Sequence, residues 1–279
     1  MLENTFCHVP GIGPKTERRL WRSGVCCWRD ALERRAAGVS PARTESLAAS
    51  LRESVARLDE RDARYFHERL PSRESWRMFP AFRDSVAYVD IETTGLGGPG
   101  DYITTIALYD GRRVRTYVHG ENLEDFRQDI ADYRLVVTYN GKTFDFPFIR
   151  NYFGLAMNHA HVDLRYVLHS LGFSGGLKGC ERQLGLDRGD LDGIDGYFAV
   201  LLWRDFRRSG DERALQTLLA YNAADVVNLE VLMVRAYNMK VADTLFAGTH
   251  SLDCPASPEL PFQPDMPTVE RIRREHGFF

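Results

Sequence analysis

The pattern of apolar and polar positions changes near residue 84. Before that point, five apolar residues lie on a repeat of about 3.6 positions: Leu47, Leu51, Val55, Leu58 and Phe66. They predict one amphipathic helix over residues 44–70, which Pro71 ends. Shorter helices are predicted from Pro14 to the glycine at Gly24 and over residues 28–36.

After residue 84 the pattern is typical of strands alternating with helices. Strands are predicted at residues 85–92, 102–109, 113–118 and 135–139, with an extended piece near 161–163. Asp110-Gly111 marks a hairpin between the second and third strands. Helices are predicted over residues 122–132, 165–171, 197–208 and 212–237. This order predicts an α/β fold, with a mixed β-sheet flanked by helices and a small all-α region before it.

We therefore divide the chain into three parts. Residues 1–83 form an N-terminal helical region with a connector helix, residues 84–240 form the α/β domain, and residues 241–279 form a tail. The tail holds five of the twelve prolines, so we predict that it is extended along the surface.

Composition narrows the class of protein. Hydrophobic residues make up 44% and charged residues 27%, as in an ordinary globular protein. No apolar run approaches the ~20 residues that span a bilayer, and no export signal is recognisable, so we expect a cytoplasmic protein without membrane contact. Five cysteines without a Cys-x-x-Cys pair favour reduced thiols over disulfides or a zinc site.

The two signs of charge are unevenly distributed. Residues 1–83 contain 16 Lys and Arg against 11 Asp and Glu, whereas the whole chain has a net charge of -3. A basic N-terminal part and an acidic remainder are consistent with a nucleic-acid-binding region joined to a carboxylate-lined metal site. Ordinary solvated surfaces would give the same distribution.

Three segments carry acidic residues in positions suited to chemistry. Asp90 and Glu92 are two residues apart at the end of an apolar strand, so both carboxylates point to one face of the sheet. Asp145 follows the next predicted buried strand in a turn rich in aromatic residues. Tyr221 and Asp225 are four apart on a predicted helix and share one face.

Together these segments resemble the three exonuclease motifs of the DEDD superfamily of 3'-5' exonucleases, which have an RNase H-like fold. The resemblance covers residues 85–237 and is greatest to the proofreading domains of family B DNA polymerases and to YprB-like nucleases. Tyr221, four residues before Asp225, is typical of the tyrosine branch (DEDDy). The histidine branch would have histidine at the position of Ala220.

The resemblance implies a two-metal-ion hydrolysis with Mg2+ or Mn2+, which prefer hard oxygen ligands. In this reading Asp90 bridges both ions, Glu92 and Asp225 complete the site of the nucleophilic water, and Asp145 supports the second ion. Tyr221 orients the water, because a phenol with an ordinary pKa near ~10 is a poor base at neutral pH.

The resemblance also implies substrate contacts. Thr93, Thr94 and Leu96 would line the 3'-terminal nucleotide, Asn140 would hold the strand, and Phe144 would pack near the terminal base or sugar. Core packing is an equal alternative for Leu96 and Phe144. Lys178 is a candidate phosphate ligand, although such a lysine is more often solvated. Three histidines lack a paired ligand spacing and are predicted to be surface or supporting residues: His159, His161 and His169.

Residues 2–36 resemble a helix-hairpin-helix DNA-binding motif. Gly11 and Gly13 lie in a Val-Pro-Gly-Ile-Gly turn before a helix. In such a turn no side chain prevents the backbone N–H groups from binding a phosphate, and Lys15 adds positive charge. A glycine turn without a ligand is the alternative. The motif favours DNA over RNA as the substrate.

The sequence thus predicts a metal-dependent 3'-5' exonuclease that degrades single-stranded or frayed DNA, in DNA repair or processing. A 3'-5' exoribonuclease is the alternative within the enzyme class, since the same catalytic groups serve RNA. The alternative outside the enzyme class is a nucleic-acid-binding adaptor with weak catalysis.

Overall fold

The structure, a computed structural model, describes residues 1–33, 41–256 and 258–277. The predicted end of the second helix at residue 36 lies outside the described residues, and the helix is described over Trp28–Glu33.

A five-stranded mixed sheet forms the centre of the fold. Its strands are β1 (Val86–Thr93), β2 (Ile103–Tyr109), β3 (Val114–Val118), β4 (Leu135–Thr138) and β5 (Ala160–Asp163), in the spatial order β3-β2-β1-β4-β5. β1 pairs antiparallel with β2, and β2 with β3, whereas β1, β4 and β5 run parallel. The predicted mixed sheet is confirmed, and β1 lies at its centre.

Helices surround the sheet and fill the N-terminal part. The α-helices are α1 (Pro14–Arg22), α2 (Trp28–Glu33), α3 (Pro41–Asp59), α4 (Ala63–Arg69), α5 (Phe79–Phe82), α6 (Phe126–Asp129), α7 (Asp145–Phe153), α8 (Leu164–His169), α9 (Gly176–Gln183), α10 (Gly196–Ser209), α11 (Glu212–Ala242) and α12 (Met266–His276). Short 3₁₀ helices are also present, among them Leu2–Asn4, Leu123–Asp125 and Ile130–Asp132.

Alternate residues of β1 pack into different cores. Ala87, Val89 and Ile91 face a core that includes residues of α6 and α7. Val86 and Tyr88 face the opposite core, which includes α8, α11 and the N-terminal helices. Because strand side chains alternate, Asp90 and Glu92 extend from the same face as Val86 and Tyr88, toward α11. This core continues across the predicted boundary at residues 83 and 84.

The long helix α11 is the main packing partner of that sheet face. It is long and apolar enough to cross a bilayer by composition, but 94% of its most apolar window is buried inside the protein. Burial on several sides explains its apolar composition, as in core helices of globular proteins. Tyr221 and Asp225 lie in the first half of this helix.

Three sequence expectations are wrong in detail. The single helix predicted over residues 44–70 is broken into α3 and α4, because Arg61 has a φ of 60° and Asp62 caps α4 by accepting the N–H of Tyr65. Asp145 lies not in a turn but at the first position of α7. The tail is not extended throughout, since α12 packs Val269 and Ile272 into a core with α10 and α11.

Candidate active site

Three carboxylates meet where the end of β1 approaches α11. Ligand oxygens of Asp90, Glu92 and Asp225 all lie within 4.8 Å of one another. Glu92 and Asp225 are buried, and Asp90 is half-buried. Such a group of hard oxygen donors fits a divalent cation.

Tyr221 lies one helical turn before Asp225 on α11 and is only 3% exposed. The Nζ atom of Lys178 is 4.5 Å from the centroid of its ring, and the guanidinium carbon of Arg188 is 5.3 Å from it. Burial, together with Asp225, Glu92 and Asp90, raises the pKa of Tyr221 well above its ordinary value. The phenol is therefore neutral at physiological pH and can donate a hydrogen bond.

Asp145 lines the same cleft and is 3% exposed, but it is not one of the three clustered carboxylates. The backbone N–H groups of Asp145 and Ile91 favour its ionised form, but burial has the larger effect on its pKa and raises it. The turn before it is held by Asp163, whose two oxygens accept the N–H groups of Asn140 at 2.8 Å and Lys142 at 3.0 Å. Gly141 is required there, since a Cβ atom would clash with the Oγ1 of Thr138.

Asn222 fixes the carboxylate of Asp90. Its Nδ2 donates to Asp90 Oδ2 at 2.7 Å, and its Oδ1 accepts from the hydroxyl of Thr105 at 3.1 Å. Asn222 is fully buried. Its role is not predicted from the sequence, although its place beside Tyr221 in the third segment is a usable signal.

Arg188 and Glu181 were also missed. Arg188 forms ion pairs with Glu181 and with Asp225, and all three side chains are almost completely buried. Arg188 lies in the connection between α9 and α10, 37 residues before Asp225. A lone arginine in a predicted loop gives no signal of such a contact.

Burial, and after it mutual repulsion, make the carboxylates hard to ionise. Burial, and then the charge of Asp225, raise the pKa values of Asp90 and Glu92 well above their ordinary range. Burial raises the pKa of Asp145 to about 7. A divalent cation would relieve this repulsion, so the donor set fits Mg2+ or Mn2+.

We expect Asp145→Asn to alter how stability depends on pH. The raised pKa means that the folded state binds the proton more tightly, so the stabilisation is present below the unfolded pKa near ~4 and is lost as pH rises through about 7. In buffer with a chelator, the unfolding free energy of wild type relative to Asp145→Asn should fall by up to about 4 kcal/mol over that interval. Urea unfolding at several pH values measures it.

Asp205→Asn provides the control for this measurement. Asp205 is a buried acid on α10 whose pKa is lowered, first by its hydrogen bond from Arg271. The contribution of Asp205 to stability therefore changes with pH only below the ordinary pKa of aspartate. Between pH 5 and 7 the unfolding free energies of the variant and of wild type should change with pH in parallel. A parallel profile for Asp145→Asn would contradict the prediction.

A cleft of about 890 Å³ opens above the carboxylates. All the predicted substrate contacts line it: Thr93, Thr94, Leu96, Asn140, Phe144 and Lys178. Leu96 is 91% exposed, so core packing does not explain it, whereas Phe144 is half-buried against Phe148. Lys178 is half-buried rather than solvated, because it donates to the carbonyl of Ile194 and faces the ring of Tyr221.

The cleft is also lined by basic and aromatic side chains, most of which the sequence analysis did not single out. They are Arg165, His169, Phe173, Tyr197 and Arg204. Positive and aromatic groups together suit the backbone and bases of a single strand.

The other histidines of the sequence analysis have structural contacts. His161 is buried, not at the surface, and its Nε2 contacts the hydroxyl of Thr138 at 2.9 Å. The Nε2 of His159 lies 3.0 Å from the carbonyl of Ile130. The three-carboxylate group is the only potential metal cluster among the described residues.

The predicted DNA-binding turn lies at the surface of the N-terminal region. Gly11 has a φ of 80°, and a Cβ at Gly11 or Gly13 would meet no atom within 4 Å. Lys15 is exposed, and α1 begins at Pro14 as predicted. The element before the turn is a three-residue 3₁₀ helix, Leu2–Asn4, rather than an α-helix.

Comparisons with known proteins add to this picture. A family B DNA polymerase from the hyperthermophilic archaeon Pyrobaculum calidifontis is similar, with 18% identity and a TM-score of 0.42. The similarity covers 56% of this chain and 24% of the polymerase, so the chain spans about a quarter of that protein. No curated protein sequence matches the chain. The model of the RNase_H superfamily matches residues 87–237, more than half of the chain, and the fold is RNase H-like. The chain therefore belongs to the RNase_H superfamily.

Proposed function

We propose that the protein is a metal-dependent 3'-5' exonuclease of the tyrosine branch of the DEDD superfamily. It would hydrolyse phosphodiester bonds at the 3' end of single-stranded or frayed DNA, in the cytoplasm, during DNA repair or processing. The observation that carries the proposal is the meeting of Asp90, Glu92 and Asp225 within 4.8 Å at the base of the cleft. Tyr221 stands one helical turn from Asp225.

The chain's own residues divide the work. Asp90, Glu92 and Asp225, supported by Asp145, would hold two ions of Mg2+ or Mn2+, which activate water and stabilise charge on the phosphoryl group and the leaving oxygen. Asn222 holds Asp90 in one orientation through a 2.7 Å hydrogen bond. Tyr221, neutral in its buried position, donates to the water or the scissile phosphate instead of accepting a proton.

The side chains that line the cleft suit the end of a nucleic-acid strand as substrate. Leu96 projects 91% exposed beside the carboxylates, and Tyr197 is 56% exposed on α10. Apolar and aromatic groups of this kind contact bases through their faces without reading sequence. Arg165 and Arg204 supply positive charge for the backbone.

The test is digestion of 5'-labelled DNA and RNA oligonucleotides of one sequence with Mg2+ or Mn2+. A ladder that shortens from the 3' end and releases mononucleotides is the expected result, with faster digestion of DNA. A covalently closed single-stranded circle should be cut at least about a hundredfold more slowly than its linear form. Rapid cutting of the circle would mean an endonuclease and would refute the proposal.

The same assay separates the alternatives. Preferential shortening of RNA would indicate an exoribonuclease, because the catalytic groups do not distinguish the sugars. Binding of both strands without hydrolysis in either metal would indicate an adaptor. The complete set of four acids and Tyr221 around one cleft favours an active enzyme over the adaptor.

We further propose that the turn at Gly11 and Gly13 contacts a DNA phosphate away from the scissile bond. Lys15, Arg18, Arg19 and Arg22 of α1 are exposed and form no ion pair with any carboxylate in the described part of the chain. The N-terminus of α1, which begins at Pro14, adds a favourable dipole for an anion.

Gly13→Val should weaken DNA binding about tenfold while leaving the rate at saturating DNA unchanged. The added side chain would extend into open space over the turn, so the fold should be kept while the phosphate is kept away. Loss of one phosphate contact should flatten the slope of log affinity against log salt by roughly 0.7 for a single strand or 0.9 for duplex. Binding titrations across salt in Ca2+ measure both quantities.

Arg112→Gln is the control for a general effect of positive surface charge away from the turn. Arg112 is exposed in the β2–β3 hairpin, far along the chain from the turn. Its loss should change neither affinity nor slope appreciably. An unchanged affinity and slope for Gly13→Val would show that the turn is a packing element.

A further inference from the structure

Arg188 occupies an unusual position beside the carboxylate cluster. Its side chain is 4% exposed, and it lies between Glu181, which is fully buried, and Asp225. Its Nη1 donates to both oxygens of Glu181, at 2.9 and 2.8 Å, and its Nη2 donates to Oδ1 of Asp225. One guanidinium thus connects a candidate metal ligand to an acid outside the cluster.

The far side of this pair is anchored to the same helix as Asp225. Asn228, one turn further along α11, donates from Nδ2 to Glu181 at 2.8 Å. Glu181 is therefore fixed by both Arg188 and Asn228, and Arg188 is held in place. The hydrogen bond from Arg188 to Oδ1 therefore limits how the carboxylate of Asp225 can rotate toward the cluster.

The charge of Arg188 opposes that of a cation at the cluster. A positive group in contact with a ligand repels a divalent ion held by that ligand, and burial keeps solvent from screening the repulsion. Glu181 reduces this effect by placing a negative charge on the far side of the guanidinium. The two residues therefore act on metal affinity with opposite signs.

We infer that Arg188 is a positioning residue that orients Asp225 and lowers the affinity of the carboxylate cluster for divalent cations, and that Glu181 moderates this effect. The inference rests on the proposed function only in taking Asp90, Glu92 and Asp225 as the metal ligands. As a consequence, the guanidinium of Arg188 orients the site before any metal ion binds, and the site binds free metal ions weakly. The negative charge of a bound substrate phosphate would then strengthen metal binding.

The experiment measures binding of Mn2+ alone by calorimetry, with the full chain and without nucleic acid. Arg188→Met should bind Mn2+ about tenfold more tightly than wild type, because the repelling charge is gone. Glu181→Gln should bind about tenfold more weakly, because the charge of Arg188 is no longer offset. Arg188→Lys keeps the charge and should bind within about twofold of wild type.

Arg77→Met is the matched control for loss of a buried arginine. Arg77 is 5% exposed on its side chain and also lies between two acids, Glu17 and Glu74, each at 2.9 Å. It lies outside the cleft, so its replacement should leave Mn2+ affinity unchanged even if the protein melts earlier. Circular dichroism of every variant establishes that it is folded before titration.

The outcomes separate a specific role from a structural one. If Arg188 served only to hold the fold, Arg188→Met and Glu181→Gln would both weaken Mn2+ binding, and the inference would be overturned. If Arg188→Met does not fold, Arg188→Gln takes its place: tighter Mn2+ binding supports the inference, and weaker or unchanged binding refutes it. At saturating Mn2+, Arg188→Met should still hydrolyse DNA at least about tenfold more slowly, since Asp225 is less well oriented.

Failure of the proposed function would give a different result. Wild-type protein that binds no Mn2+, or binds it equally well after Asp225→Asn, would remove the metal site itself. Wild-type binding that depends on Asp225 but does not respond to Arg188 or Glu181 would refute only the inference.

Discussion

Replacing Asp90 by asparagine is expected to reduce hydrolysis of a 5'-labelled single strand by at least about a thousandfold. That loss corresponds to roughly 4 kcal/mol of transition-state stabilisation, a reasonable magnitude for removing a shared metal ligand. Asparagine has nearly the same shape and can still bond to Asn222, so the loss would reflect cation binding. Single-turnover rates with Mg2+ and with Mn2+ measure it.

The same variant should be at least as stable as wild type in chelator. The pKa of Asp90 is raised well above its ordinary value by burial and by the charge of Asp225, so its ionised form destabilises the folded protein at neutral pH. Asparagine removes this charge. A melting temperature equal to or above that of wild type, together with the lost activity, would show that stability is given up for function at this position.

Asp205→Asn is the matched control for this prediction. Asp205 is a buried acid that pairs with Arg208 and Arg271 and does not line the cleft. Its replacement should reduce stability and leave the hydrolysis rate of the folded protein within about twofold. An active Asp90→Asn variant with either metal would contradict the assignment of the site.

The sheet and the three acidic segments could be predicted because local rules decide them. Asp90 and Glu92 share a face through the two-residue period of a strand, and Tyr221 and Asp225 share a face through the helical repeat. Each segment therefore carries its geometry within a few residues. Their convergence required the fold, which the α/β pattern predicted and the superfamily match bears out.

Contacts between distant residues could not be predicted in this way. Arg188 meets Asp225 across 37 positions, and Asp163 reaches the backbone of Asn140 across 23. Neither residue lies on a periodic pattern. Arg188 lies in the connection between α9 and α10, and Asp163 lies at the end of β5, whose place beside β4 a single sequence does not reveal.

The tail contains a helix-start signal that its many prolines obscure. Its prolines predict extended chain, but Pro267 lies in the first turn of α12, where proline is well tolerated. Asp265 caps that helix by accepting the N–H of Thr268 at 2.9 Å. The acid two positions before Pro267 therefore marks the start of a helix, which the number of prolines alone does not reveal.

Tyr221→Phe is expected to slow hydrolysis by about 10- to 100-fold at saturating DNA and metal, without abolishing it. The variant keeps the ring that Lys178 and Arg188 face at 4.5 and 5.3 Å, and it keeps all four acids. It removes only one hydroxyl, so the lost interaction is a hydrogen bond to the water or phosphate, whose value in a buried site is of this size. Single-turnover rates, with Mn2+ affinity measured in parallel, test the prediction.

Tyr237→Phe is the matched control, because Tyr237 is a buried tyrosine of the same helix that packs against Trp76 and Phe79 outside the cleft. It should retain the wild-type rate. The two roles considered for Tyr221 differ in pH dependence: a base would lose its effect as the phenol became protonated, whereas a neutral donor contributes equally from pH 6 to 9. Because burial and three carboxylates raise the pKa of Tyr221 well above its ordinary value, the ratio of wild-type to variant rate should stay constant over that range. A ratio that increases tenfold per pH unit would instead make the phenolate the active form.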